Sequence, residues 1–182
     1  MSIILVADIF GLTPALIKVA ETLNASLIVD PYDGQFMDFR NESDAYFYFS
    51  KNVGLEKYLT KLEGVTASIE PDSILIGFSI GASAIWLLSD KTSARNIKGA
   101  ICFYGAQIRH SQEIDPLFEI QLIFPKQETH FDVSALQSIL SKKKKVKSKQ
   151  VTYLHGFMNF YSTNYSEIGY KEHIQWLNKE IN

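Results

Sequence analysis

The stretch Gly77-Phe78-Ser79-Ile80-Gly81-Ala82-Ser83 places a serine between two glycines, each two residues away. An apolar run precedes it and a helix-like run, Ile80 to Leu88, follows. That spacing suits a serine nucleophile on a sharp turn from strand to helix, where glycines supply the missing side-chain volume that lets the turn close. The turn also sets the hydroxyl at a helix amino end, with the Ile80 amide pointing into the same space to hold an oxyanion. Small residues here equally serve helix–sheet packing, in which case Ser79 is an incidental cap.

A serine hydroxyl becomes reactive when a base takes its proton and a carboxylate orients that base. Of the four histidines, His110 and His130 stand in polar, loop-like contexts, and His173 reads as the exposed face of the final helix. His155, in "VTYLHGFMNF", directly follows a strand-like run, where the carboxyl edge of a sheet belongs, and is the candidate base. The acid comes from a loop at the same edge, and "PKQETHFD" offers Glu128 and Asp132. Asp132 immediately precedes the helical pattern "VSALQSIL" and suits its N-cap, which leaves Glu128 for the histidine.

A second oxyanion donor is expected from the loop after the first strand, "ADIFGLT", where the Ile9 amide is the candidate. Asp8 beside it acts either as a structural hydrogen-bond acceptor or as an influence on the ionisation of the site. Phe10, Tyr104, Phe157, Phe160 and the aromatics between Tyr32 and Phe49 are available to line an apolar pocket, although such side chains more often fill a core.

The elements that must position these groups alternate along the chain. Strands are expected at Ile3 to Ala7, Ser26 to Val29, Ser73 to Ile76, Gly99 to Phe103, Ile120 to Phe124 and Val151 to Leu154. Helical patterns run over Thr13 to Leu23, Gly54 to Leu62, Ile80 to Leu88, Val133 to Leu140 and Tyr165 to Glu180. The alternation predicts an α/β protein: one domain over residues 1–182, with a mainly parallel sheet of about six strands and helices on both faces in three layers. Two regions break the rhythm. Pro31 to Ser50 carries seven aromatic residues and forms either a short extra helix or a lid. The run "SKKKKVKSKQ", with six lysines between Lys142 and Lys149, reads as a solvated helix end before the last strand.

Composition narrows the function classes. A net charge of −2 with both signs interspersed argues against a nucleic-acid partner. The single cysteine, Cys102, lies in the strand-like "GAICFYG" and suits a reducing compartment, and no run of about 18 apolar residues appears. With no signal-peptide pattern at "MSIILVADIF", a soluble cytoplasmic protein without a membrane partner is expected, as monomer or homodimer. Zinc-type His/Cys spacing, a phosphate loop and a dinucleotide fingerprint are absent from the sequence, so no metal or organic cofactor is implied.

Taken as a set, these segments resemble the dienelactone hydrolase family of the α/β-hydrolase superfamily. "DIFGLTPALIKVAETL" is similar to its E-I-F-G oxyanion segment and the following helix, "GFSIGAS" to its elbow, and "FYG" to the end of its next strand. "LIFPKQETHFDVSAL" looks like its acid loop and "HGFMNF" its histidine turn. The resemblance implies Ser79 as nucleophile, Glu128 as acid, His155 as base, Ile9 and Ile80 as amide donors, and Asp8 where the family often has a glutamate. Founding members carry cysteine where Ser79 stands, so serine esterase chemistry is implied here. The acid position commonly holds aspartate, and the family's carboxylate-binding arginines have no counterpart around Asn159, which points away from dienelactone itself. Two edge strands that often precede the oxyanion loop are expected to be missing. The implied substrate is a small ester, lactone or thioester, cleaved through an acyl-enzyme. The rival expectations are a hydrolase-like binding or interaction module with weak catalysis, and an unrelated doubly wound fold in which Asp8 is the reactive or ligand-binding group.

Overall fold

A computed structural model describes residues 2–181. Six strands alternate with six helices: β1 Ile3–Val6, α1 Pro14–Thr22, β2 Leu27–Val29, α2 Glu42–Asn52, α3 Gly54–Thr66, β3 Ser73–Phe78, α4 Ile80–Leu88, β4 Ile97–Phe103, β5 Glu119–Phe124, α5 Val133–Leu140, β6 Val146–Gln150 and α6 Glu167–Glu180. The strands form one sheet in the order β2-β1-β3-β4-β5-β6, and every pairing is parallel. The expected six-stranded α/β architecture is the observed one.

Two apolar layers sandwich this sheet because alternate strand residues point to opposite faces. Ile4, Val6, Leu75, Ala100 and Leu122 pack on one side with Tyr58 and Leu62 of α3, Trp86 of α4 and Leu136 of α5. Ile3, Leu5, Ile76, Ile101 and Ile123 pack on the other with Val19 of α1 and Ile174 and Leu177 of α6. Covered on both faces, the central strands read as unbroken apolar runs such as Ile3-Ile4-Leu5-Val6, all buried. Side-chain caps fix the starts of α1, α5 and α6. Thr13 Oγ1 accepts from the Leu16 amide at 3.1 Å, Asp132 from the Ala135 amide at 3.0 Å, and Ser166 from the Gly169 amide at 3.1 Å. The Asp132 cap is the one expected, whereas the Ser166 cap starts α6 two residues later than the apolar pattern suggested.

Three expectations need correction: the position of the last strand, the lysine run as a helix end, and the exposure of His173. The last strand is Val146–Gln150, inside the lysine run, and Val151 to Leu154 is the turn that leads to His155. β6 is an edge strand with only Val146 buried, so its sequence lacks the apolar run that marks an interior strand. Its lysines discourage pairing with another chain. The stem of Lys149 also lies over α6, with its ammonium 3.7 Å from the Trp176 ring centre. His173 is buried on α6, with Nδ1 2.8 Å from the Gly169 carbonyl and its ring against Phe103 and Phe157. The aromatic segment contains helix α2, capped by Asn41. Among the described residues, no helix is long and apolar enough to cross a membrane.

Candidate active site

Strand order reverses between β1 and β3, so the loops leaving their carboxyl ends part to opposite sides and open a crevice there. The register pairs Val6 with Gly77, which sets Asp8 and Ser79, each two residues further on, at the same level of the sheet edge.

Ser79 occupies the strained turn between β3 and α4, with φ 50° and ψ −110°. A left-handed φ in a residue with a side chain costs about 1–3 kcal/mol and persists only where neighbours over-determine it. Here the Ser79 amide donates to the Phe103 carbonyl at 2.9 Å, and its own carbonyl accepts from Ser83 N at 3.0 Å and Ser83 Oγ at 3.1 Å. The flanking glycines permit the close approach. A Cβ on Gly81 would stand 2.3 Å from the Val6 carbonyl oxygen, and one on Gly77 2.5 Å from Ile85 Cδ1 and 2.8 Å from the Ala82 amide nitrogen. Packing and presentation are therefore the same device.

Ser79 Oγ lies 2.9 Å from His155 Nε2, and His155 Nδ1 lies 2.7 Å from Glu128 Oε1. An ionised carboxylate only accepts hydrogen bonds, so Nδ1 carries the hydrogen toward Glu128 and Nε2 presents its lone pair to the serine hydroxyl. Glu128 is the more enclosed of the pair, with 11% of its side chain exposed against 29% for His155. The loops carrying them are joined by the Lys126 amide, which donates to the Tyr153 carbonyl at 2.7 Å. The Tyr104 ring, 4.9 Å from the imidazole, backs the histidine.

The two candidate amides face no acceptor among the described residues. Ile80 is the first residue of α4, so its N–H has no carbonyl one turn earlier within the helix. At Ile9 the neighbouring groups explain the freedom. The Asp8 carbonyl accepts from the Gly11 amide at 3.1 Å, and a trans peptide turns the Ile9 N–H the opposite way. The next peptide is held at both ends: the Phe10 amide donates to Asp8 Oδ1 at 2.9 Å, and Tyr32 Oη donates to the Ile9 carbonyl at 2.7 Å.

Asp8 also accepts from Asn159 Nδ2 at 2.5 Å, so the first loop and the histidine loop meet at this carboxyl. Enclosure by protein pushes its pKa up to about 6, against the downward pull of the Phe10 amide, Asn159 and His155, while Glu42 adds a smaller upward push. The surface that Asp8 retains faces a cavity it lines.

Glu42 is a residue that sequence reasoning missed. From the first turn of α2 its carboxylate accepts from Ser162 Oγ at 2.8 Å and Thr163 Oγ1 at 3.3 Å. Asn164, on the same loop, donates through Nδ2 to the His155 carbonyl at 2.9 Å. Only an acidic residue at a helix start marked it in the sequence, and that pattern is ordinary. Other expected pocket residues sit elsewhere. Phe157 is fully buried in the core beneath the site, stacked on Tyr153 at 5.0 Å between ring centres. Phe10 is buried against Tyr161, and Tyr32 and Phe49 are core, whereas Phe36, Tyr46 and Phe47 are exposed. Among the described residues no three of His, Cys, Asp and Glu group as a metal site.

No family model matches the chain. An uncharacterized protein of Bacillus subtilis (strain 168), YczH, is 34% identical over 129 residues, which cover 66% of this chain and 59% of that protein. Solved structures of similar shape include the dienelactone hydrolase of Anabaena variabilis, at a TM-score of 0.67 and 13% identity over 98% of this chain and 84% of that one. Est1E from Butyrivibrio proteoclasticus, with ferulic acid bound, matches at a TM-score of 0.63 and 13% identity over 100% and 88%. The dienelactone hydrolase-like promiscuous phosphotriesterase P91, from metagenomic libraries, matches at 0.64 and 13% over 98% and 85%. The chain has the α/β-hydrolase fold.

Proposed function

We propose that this protein is a serine hydrolase of the dienelactone hydrolase type that cleaves a carboxylic ester, lactone or thioester. The observation that carries the reading is the continuous relay from Ser79 Oγ through His155 to Glu128, at 2.9 Å and 2.7 Å. Hydrolases with esters among their substrates use this fold, and the likeness to Est1E and to the dienelactone hydrolase supports the class.

In this reading Ser79 Oγ attacks the carbonyl carbon while His155 Nε2 takes its proton. Glu128 keeps Nδ1 protonated and stabilises the imidazolium that forms. The carbonyl oxygen gains the negative charge and is held by the Ile9 and Ile80 amides, aligned in advance of the reaction. Collapse of the tetrahedral species breaks the bond to the leaving oxygen or sulfur, which receives the proton from His155. An acyl group then remains on Ser79. Water attacks it with His155 again as base, releasing the acid and restoring the hydroxyl.

The test uses para-nitrophenyl acetate and butyrate with a fluorophosphonate probe. Wild type is expected to turn over both esters and to be labelled on Ser79, and Ser79→Ala to do neither. Equal turnover by the two proteins, together with an unlabelled serine, overturns the reading.

A further inference from the structure

A cavity of about 210 Å³ opens beside Ser79 on the α1–α6 face of the sheet. Leu16 and Val19 of α1, Tyr170 of α6, Met158 of the histidine loop and Phe78 form its apolar walls. Ser79 and His155 are not in its lining, yet each has a neighbour there: Phe78 precedes the serine, and the Tyr104 ring lies against the imidazole. Asp8, next to the Ile9 amide, completes that edge. The cavity therefore shares Asp8, Phe78 and Tyr104 with the immediate surroundings of Ser79 and His155.

Size and chemistry define that group. An apolar cavity of roughly 150 Å³ holds a benzene ring, so this one holds a ring with one or two further heavy atoms. The aromatic and aliphatic walls suit such a ring. The charged groups in the lining are Asp8 and Lys18. Lys18 is exposed and lies 3.1 Å from Glu21, so its charge is already partnered. The Asp8 oxygens accept from Phe10 and Asn159, and each carboxylate oxygen has a second lone pair to offer. Tyr104 is also in the lining, but its hydroxyl is shielded from the cavity and lies beside the Met158 backbone. A ligand hydroxyl has the donor that Asp8 accepts. A carboxylate would meet Asp8 as a like charge in a poorly solvated space.

We infer that this cavity binds the non-reacting part of the substrate and selects a neutral aromatic ring bearing a hydroxyl over a carboxylated ring of the same size. Its place in catalysis rests on the proposed role of Ser79, whereas its ligand preference does not.

Binding separates the two. Para-cresol and para-toluate share the methylphenyl ring, but the carboxylate is the bulkier group. Neutral para-toluamide is therefore included as its isostere and is expected to bind more tightly than para-toluate. All three are titrated calorimetrically at neutral pH into wild type and Ser79→Ala. Para-cresol is expected to bind both proteins alike and at least about tenfold more tightly than para-toluate. Leu16→Trp, at a partly exposed wall position, fills the space and is expected to weaken para-cresol by about tenfold while keeping a cooperative urea transition. Asp8→Asn is expected to remove the discrimination against para-toluate, which checks the cavity without added bulk. Equal binding of para-cresol and para-toluate, para-toluamide no tighter than para-toluate, absent binding of para-cresol, or binding indifferent to Leu16→Trp overturns the inference. Para-cresol binding beside an inert serine sinks the hydrolase reading alone, and ester turnover by a protein that ignores para-cresol sinks the cavity assignment alone.

Discussion

Glu128 reaches His155 across 2.7 Å with a side chain one methylene longer than the aspartate usual at this position in the resembled family. The loop after β5 holds Glu128 so that its full length is used to reach Nδ1. Glu128→Asp is expected to withdraw the carboxylate by more than a hydrogen bond tolerates and to lower kcat, with KM little changed. Glu128→Gln keeps the shape but favours the wrong imidazole tautomer, and a loss of about 10³–10⁴ in kcat is expected. Steady-state kinetics on a para-nitrophenyl ester checks both, and a kcat within about threefold of wild type for Glu128→Gln rejects the role.

Gly81 tests the elbow as a packing device. Its missing Cβ would otherwise press on the carbonyl oxygens of Val6 and Ala7 at 2.3 Å and 2.4 Å, which belong to backbone and cannot swing aside. Gly81→Ala is expected to cost about 1–3 kcal/mol in urea denaturation by overpacking, and to displace α4 from β1. Unchanged stability would mean that the two elements are not pressed together as described.

The parts of the site on the sheet were legible in the sequence because strand order alone aligns them: Asp8 after β1, Ser79 after β3, Glu128 after β5 and His155 after the last strand. What escaped was set by partners distant in the chain. An edge strand rich in lysine carries no interior pattern, so the sequence of β6 looks like a solvated helix end. His173 is buried because Phe103, Phe157 and Trp176 surround it, which spacing on one helix does not reveal. The bond from Asn159 to Asp8 joins residues at opposite ends of the chain, and no local signal announces it.

Glu42 ties helix α2 to the loop that carries His155, through Ser162 and Thr163. Glu42→Ala is expected to loosen that loop and lower kcat by about tenfold, since small misplacement of a base is costly. Glu42→Gln keeps an acceptor for Ser162 and is expected to recover most of the rate. Both remove a negative charge that pushes the Asp8 pKa upward, so the Asp8 titration is expected to move to lower pH in each, which a purely mechanical role would not produce. Carboxyl NMR shifts followed across pH read this directly. An Asp8 titration unmoved in Glu42→Gln removes the electrostatic half of the assignment.

Asp8 gives folding stability a definite pH slope. Its pKa rises from the ordinary 3.8 to about 6 in the folded chain, chiefly because protein encloses the carboxyl. An acid that holds its proton more tightly when folded makes the native state bind more protons than the unfolded state between those two values. Its contribution to stability therefore falls as pH rises from about 4 to about 6, and is level above that. Asp8→Asn removes the buried charge, and its oxygen can still accept from the Phe10 amide. At neutral pH the variant is expected to gain up to about 3 kcal/mol over wild type, less the value of the Asn159 contact and less wherever water enters the cavity. Near pH 4 that electrostatic gain vanishes. Groups far from Asp8 titrate alike in both proteins, so the difference between their urea denaturation free energies across this range reads Asp8 together with its coupling to His155 and Glu42. A difference that stays constant from pH 4 to pH 8 would mean that the Asp8 carboxyl titrates in the folded protein as it does in the unfolded chain.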